Sequence, residues 1–506
     1  MKRVIVATLL LAPPLAAQGY RIRLDNRFQA VGYRGLELDS IPVTDTVPGP
    51  GGGPATPDGF AVHCPSGAPY CLYFRPGAVR HGAPLVTTAD VALWGFGIRG
   101  LSAHATARAA ADLTGEELWP GTDPAVQLLT GYAEYSGERV TVRLGRELDY
   151  NRLGTIGFDG ARLTVRDGRH GGGLGGLGGL DASVYGGWGL ARGAALPVTS
   201  PALNPITDFQ PSQRQLLVGV EAGWSGRRAD VRGEYLREVD PRTDYFVSER
   251  VGFSAVVRPV AAWSVTGGAD YDLAAGWWGS AEVTLGYANR DVNSSLGVRR
   301  YRPHFDLWTI WGAFSPVPYR AVQAQINIKT LRQVQLRARG EHYRFGDADV
   351  STPLVKVEQS GWRGELGLTA SPAPSWTIDA GYHREFGPGA ASVGTSASVT
   401  YAPAGPDGPY AVTVHGAALD RPLELRFSES VLHLYGIEGR VEPQPGLRVE
   451  LGAVRYAEDR RRPDPAAIDW GQWRITLRAV FSIGSGDDLD HLPPATRRMP
   501  GGRAQR

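Results

Sequence analysis

Apolar and polar residues alternate with a period of two along most of the chain. In the last long run, Trp473, Ile475, Leu477, Ala479, Phe481 and Ile483 share one face. Gln472, Arg474, Thr476, Arg478 and Ser482 share the other, where only Val480 breaks the polar rule. Val322, Ala324, Ile326 and Ile328 oppose Gln323, Gln325, Asn327 and Lys329. Val140, Val142 and Leu144 oppose Arg139, Thr141 and Arg143, and Ala161, Leu163 and Val165 oppose Arg162, Thr164 and Arg166. Val334, Leu336 and Ala338 oppose Gln335, Arg337 and Arg339. Successive strand side chains point to opposite faces, so each segment presents one apolar and one polar surface. No segment beyond the N-terminal stretch sustains a helical period.

A soluble sandwich alternates too, with its polar face in water. Three features favour a transmembrane barrel instead. The alternating runs last about 10–12 residues, enough to cross a bilayer at a tilt, whereas globular strands usually stop at about 5–6. Short turns such as Ser225-Gly226-Arg227, Pro259-Val260-Ala261 and Pro372-Ala373-Pro374 interleave with longer Gly/Pro/Asp-rich connections at 191–211, 347–356 and 460–468. Outer-membrane barrels show this asymmetry, with short periplasmic turns and long external loops. Aromatic residues also gather at strand ends (Trp277-Trp278, Trp376, Trp470, Trp473), where interfacial girdles would place them.

The pattern therefore predicts an all-β fold, a closed antiparallel transmembrane β-barrel of 22 strands without a separate plug domain; counts of 18, 20 or 24 stay open, because errors come in hairpin pairs. The strands run from Tyr20–Val31 to Trp470–Ile483. Between them lie 87–98, 101–112, 126–136, 138–147, 158–166, 181–190, 213–225, 228–239, 244–258, 262–273 and 276–288, then 294–303, 320–329, 334–345, 356–370, 375–386, 391–401, 410–420, 429–442 and 447–458. An even number sets both chain ends on the periplasmic side, the phase the short turns also require.

Composition narrows the class. The 506 residues are 42% hydrophobic with a mean hydropathy of -0.21, too polar for a bundle of membrane helices. Thirteen Trp, 20 Tyr and 14 Phe argue against wholesale disorder. Basic and acidic residues balance at 53 against 51, so nucleic acid is not an expected partner. Met1-Lys2-Arg3, the apolar run Val4–Ala12 and the small residues Leu15-Ala16-Ala17 form a secretory signal peptide over 1–17, leaving 18–483 for the barrel in the outer membrane. In an oxidising compartment Cys64 and Cys71 would close a small disulfide loop. Paired zinc ligands are the alternative, but the two other ligands of a structural site are missing.

Both cysteines lie in a Gly/Pro-rich insertion at 32–85, expected either to fold into the lumen or to remain a solvated external loop. Residues 305–319 are too aromatic for an ordinary loop; they extend the wall, pack into the pore or continue a strand. The run 170–179 lacks the Gly-Lys-Ser/Thr of a phosphate loop and reads as a loose turn. Residues 484–506 read as a disordered periplasmic tail, in which Asp487, Asp488, Asp490 and His491 are solvated charge rather than a cation site.

No nucleophile elbow, His-Glu-x-x-His or Cys-x-x-Cys is present, and the strand histidines His104, His342, His383, His415 and His433 alternate with ordinary wall residues. The expectation is a non-enzyme without cofactor or metal; a hydrolase assembled from separate strands is the weaker reading. A plugged importer would need a folded domain ahead of the barrel, and 18–19 supply none. What remains is a pore for small polar or anionic solutes, embedded in outer-membrane lipid. Its candidate lining is Arg21, Arg23, Arg27, Arg474 and Arg478 at the seam, with Asp25 the one acid among them; Arg143, Arg162 and Arg166; and Gln323, Gln325, Arg337 and Arg339. Guanidinium ladders favour carboxylates and phosphates. Glu234, Glu282, Glu365 and Glu450 also face inward, so a balanced, non-selective lumen competes with anion preference. A non-conducting surface barrel that binds through its external loops is the alternative.

Residues 132–166 contain Tyr132-Ala133-Glu134-Tyr135, then Val140 to Arg146 ending Leu-Gly-Arg, then Phe158-Asp159-Gly160-Ala161-Arg162. This resembles alginate-export-type porins: a strand with a Leu-Gly-Arg ending, a loop, then a Phe-Asp-Gly strand start. The resemblance implies an outer-membrane barrel of about 18 strands with an arginine-rich lumen, passing anionic oligosaccharides or small anions.

Overall fold

The structure is a computed structural model that describes residues 19–49, 53–114, 126–167, 179–190, 215–239, 246–302, 318–331, 333–346, 360–387, 390–420, 429–462 and 470–485. Expectations for the signal peptide, the 170–179 run, most of 305–319, the longer loops and the tail beyond 485 lie outside the described residues.

The strands are β1 (Gly19–Pro42), β2 (Val47–Pro48), β3 (Pro54–Ala55), β4 (Tyr70–Gly82), β5 (Pro84–Trp94), β6 (Leu101–Asp112), β7 (Val126–Ser136), β8 (Val140–Asn151) and β9 (Gly154–Arg166). They continue as β10 (Gly179–Gly189), β11 (Leu216–Ser225), β12 (Ala229–Val239), β13 (Phe246–Val260), β14 (Trp263–Asp272), β15 (Trp277–Ala288), β16 (Val292–Tyr301) and β17 (Tyr319–Leu331). The last eight are β18 (Val334–Phe345), β19 (Ser360–Ala373), β20 (Trp376–Gly387), β21 (Ala390–Tyr401), β22 (Tyr410–Asp420), β23 (Glu429–Gln444), β24 (Leu447–Arg462) and β25 (Trp470–Gly484). From β5 to β25 each pairs antiparallel with the next, and β1 closes the ring between β25 and β5. The result is a closed antiparallel barrel of 22 strands.

The two faces are the reverse of a soluble protein's. Leu144, Val165, Val184 and Val220 are exposed, while Arg162, Ser183 and Glu221 at the alternate positions are buried. Charge inside and aliphatic surface outside is the arrangement a bilayer solvent demands, and closure leaves no unpaired strand edge in it. Aromatic pairs mark two levels on the outward surface. Trp263–Tyr287 (4.9 Å) and Trp376–Tyr401 (4.8 Å) lie at the end with the short turns, and Tyr271–Trp278 (5.2 Å) lies toward the long loops. Both described chain ends, Gly19 and Gly484, sit at the short-turn end, beside each other in the β1–β25 seam.

Residues 32–85 do more than form a loop. The first half of β1 belongs to the barrel, but Val31–Pro42 pairs with β4, which runs in line with β5. The seam thus continues as a two-stranded ribbon beyond the wall, where pairing with β25 stops at Ala30–Ile475. A Cys64–Cys71 disulfide braces its tip, Phe60 stacks on Tyr73, and Tyr73 donates to Asp39 at 3.3 Å. Burial and that carboxylate push the Tyr73 phenol up from its ordinary value.

Candidate functional site

Twenty-two strands about 4.8 Å apart, tilted as barrel strands are, enclose a cylinder roughly 40–48 Å across between backbones. Wall side chains cannot fill such a width. Among the described residues it is narrowed by the hairpin tip joining β8 to β9, residues Asn151 to Gly154, which bends inward to meet β13 and β15.

The tip reaches six strands along the ring, from β9 to β15. The Arg152 guanidinium donates to Glu282 and to the Ser280 hydroxyl, both at 2.6 Å, and lies 3.7 Å from Asp270. Its backbone N–H donates to Glu234 at 2.8 Å, and Arg250 donates to the Leu153 carbonyl at 2.8 Å. Beneath these contacts Leu153, Ile156, Phe158, Tyr185, Leu217 and Leu236 form a small apolar core inside the barrel. Two glycines make room for it. A Cβ on Gly252 would sit 3.0 Å from Leu153 and 3.2 Å from Arg152, and one on Gly268 would meet the Phe253 carbonyl at 2.7 Å.

The strands expected at 138–147 and 158–166 are longer than that. Leu144-Gly145-Arg146 and Phe158-Asp159-Gly160 lie inside β8 and β9 rather than at a strand end and a strand start. The extra residues are the ones that build the tip. The alternation in fact persists, with Glu147, Asp149 and Asn151 inward and Leu148 and Tyr150 outward, until Arg152-Leu153 turns the chain.

All the candidate lining residues lie on the inner face by strand register, but they fall into two groups. Arg143 and Arg162 are held in a buried acidic network beneath the tip. Arg143 bonds Glu134 and lies 5.1 Å over the Tyr132 ring. Arg162 contacts Asp149 at 2.7 Å, Glu147 at 3.3 Å and Glu221 at 3.5 Å, and stacks 4.5 Å over Tyr185. Arg166 donates to Thr141 at 3.0 Å. At the seam, Arg478 clasps Asp25 through two bonds (2.6 and 3.0 Å) and reaches Glu450 at 3.4 Å, while Arg27 shares the same Asp25.

The second group is free. Arg21, Arg23, Arg337 and Arg339 make no ion pair with a described residue, and Arg474 meets only the Tyr456 ring, at 4.8 Å. Gln323 and Gln325 stand opposite Glu341 and Arg339 across the β17–β18 ladder. Residues the sequence reading did not single out complete the network: Arg152, Arg250, and the Arg299–Glu341–Arg363 bridge at 2.7 and 2.9 Å. Contacts made across six strands leave no local sequence signal.

Charge is therefore unequal around the lumen. Near the tip, Arg143, Arg152, Arg162 and Arg250 face Glu134, Glu147, Asp149, Glu221, Glu234, Asp270 and Glu282, an acidic excess. The arc from β18 round to β1 carries the free arginines, four of them in the short-turn half, interspersed with Glu365, Asp379 and Glu438, which face inward and make no ion pair with a described residue either. Among the described residues no cluster of His, Cys, Asp and Glu is set to hold a metal ion. Ser102 and His104 lie 3.1 Å apart, but Ser102 is 3% exposed and the neighbouring Glu134 is occupied by Arg143.

No family model and no curated protein matches the chain. Solved structures similar to it include the copper transporter OprC (12% identity, 91% of this chain and 80% of that one, TM-score 0.45). The siderophore receptor PirA from Pseudomonas aeruginosa is similar at 10% identity, covering 92% and 80%, with a TM-score of 0.46. OccAB4 from Acinetobacter baumannii follows at 6% identity, covering 94% and 100%, with a TM-score of 0.39. None of these likenesses carries the alginate-export-type resemblance of residues 132–166.

Proposed function

We propose that this chain is an outer-membrane channel through which small polar solutes diffuse passively. The observation that carries the reading is the inverted barrel: a ring too wide for its own side chains to fill, with charge inside, narrowed from one wall by the β8–β9 tip. Water fills such an interior unless something closes it. A solute passing the tip has a largely ion-paired, acid-rich surface on one side and, on the other, unpaired arginines interspersed with unpaired carboxylates, fixed charges that orient charged groups. Carboxylate- or phosphate-bearing solutes would engage Arg21, Arg23, Arg337, Arg339 and Arg474. Arg143, Arg162 and Arg478 serve as wall bracing in this reading, because their charge is already matched.

A second reading has one observation in its favour. The ribbon beyond the seam exposes Leu38, Val43 and Tyr70, the kind of projecting surface a non-conducting binding barrel would use. Planar-bilayer recording of the purified protein separates the two. Discrete conductance steps support the channel; a silent membrane containing correctly folded protein supports the surface barrel. Reversal potentials in a salt gradient then test which ions the lumen prefers.

A further inference from the structure

The outward surface carries an arrangement that solute passage does not use. Arg300, Arg320 and Arg344 are direct cross-strand partners on β16, β17 and β18, so three guanidinium side chains stand in one row. The row is bounded by Ala281 on β15 and Ser360 on β19. Alternation puts the three on the same face as the exposed Leu296, Val298 and Val322, the outward one. The inner face of these strands bears the Arg299–Glu341–Arg363 bridge instead. None of the three makes an ion pair with a described residue.

Like charges directly opposite on neighbouring strands destabilise a sheet, and adjacent strands lie only about 4.8 Å apart. Outward Arg146, by contrast, is neutralised within the protein: it clasps Asp159 through two bonds of 2.7 and 3.0 Å. Among the described residues the Arg300 row has no such acid, which leaves three guanidinium groups open to an anionic ligand.

The surroundings indicate what supplies it. One register step toward the short turns, the row reads Val298, Val322, His342, Trp362 and Phe386, an aliphatic and aromatic band. The arginines thus stand just beyond the outward aromatic level, on the side of the long loops. A shallow outward groove of about 510 Å³ runs from the three arginines over Val283, Val298 and Val322. A second groove of about 690 Å³ follows below it, lined by Leu285, Leu296, Ala324, Ile326, Ala338 and Gly340 among others. A basic rim leading into an apolar channel floored by small residues matches a molecule with an anionic head and hydrocarbon tails.

We infer that Arg300, Arg320 and Arg344 bind the phosphate groups of a phosphorylated glycolipid of the outer leaflet, with its acyl chains lying in the grooves below. The inference rests on the outer-membrane reading, which sets the loop end of the barrel in that leaflet. Arginine suits phosphate through its forked donors, and basic side chains at an anionic membrane surface contribute additively.

The test is retention of purified bisphosphorylated lipid A by the folded full chain in detergent, read by native mass spectrometry. The wild type should keep the lipid through washing. R300Q/R320Q/R344Q should lose affinity by roughly tenfold or more, whereas the inner-face control R21Q/R23Q, on the far side of the ring, should bind as the wild type does. The wild type alone provides a second arm: dephosphorylated lipid A and phosphatidylglycerol should each fail to displace the bound lipid. Equal binding by the triple variant, or displacement by either competitor, would overturn the site. Bilayer conductance of the triple variant should equal that of the wild type. A silent wild-type barrel that still retains lipid A would sink the channel reading and leave this one standing.

Discussion

Arg162 and Arg339 are the same residue type, both mid-strand and both on the inner face, yet they do different work. Arg162 is surrounded by Glu147, Asp149 and Glu221 and stacked on Tyr185, whereas Arg339 makes no ion pair with a described residue, although Glu365 stands opposite it in register on β19. The difference comes from the tip. Where β8 and β9 fold inward, they bury a wall segment and bring three acids from two strands, β8 and β11, onto one guanidinium. On β18 no described segment folds over the wall, and Arg339 stays exposed. An arginine count along strands therefore says little about the charge a solute meets.

The largest effect that separates these regions is on stability. Removing a partner from a buried charge network leaves the remaining charges uncompensated and typically costs about 3–5 kcal/mol. Arg162→Ala should lower the unfolding free energy of the barrel, read from denaturant titration, by that order, while Arg339→Ala should shift it by no more than about 0.5 kcal/mol. Equal shifts would erase the distinction between bracing and free arginines.

Next in size is the position of the tip. Arg152→Ala removes the bonds to Glu282 and Ser280, and Gly252→Val places atoms where Leu153 and Arg152 now sit. Both variants should loosen the constriction and raise single-channel conductance. Unchanged conductance in both would mean that solutes do not pass the tip. A smaller effect falls on selectivity: R337Q/R339Q should move the reversal potential toward cations at low salt, where luminal charge is least screened. Neutralising Arg478 is a poorer probe, because it would also free Asp25 and Glu450. The smallest effect belongs to C64A/C71A, which should leave conductance and barrel unfolding unchanged and only open the ribbon tip to protease.

Much of the architecture was readable from alternation alone. The 22 expected strands correspond one to one with the ring, because an apolar outer face and a polar inner face force the period of two onto every segment. Two things were not readable. The ribbon hid within 32–85, since Gly35, Pro76 and Gly77 interrupt a pattern that pairing with the second half of β1 nonetheless completes. The constriction hid because Arg152 meets Glu282 across 130 residues of chain, a distance set by barrel curvature and not by local sequence. Even there, the alternation of Glu147, Asp149 and Asn151 with Leu148 and Tyr150 showed that β8 had not ended.

Single-channel recording of the folded wild type beside Arg152→Ala tests the account most directly. Discrete ohmic steps in the wild type, larger in the variant, are the predicted result. Folded, inserted protein that passes no current in either form would contradict it.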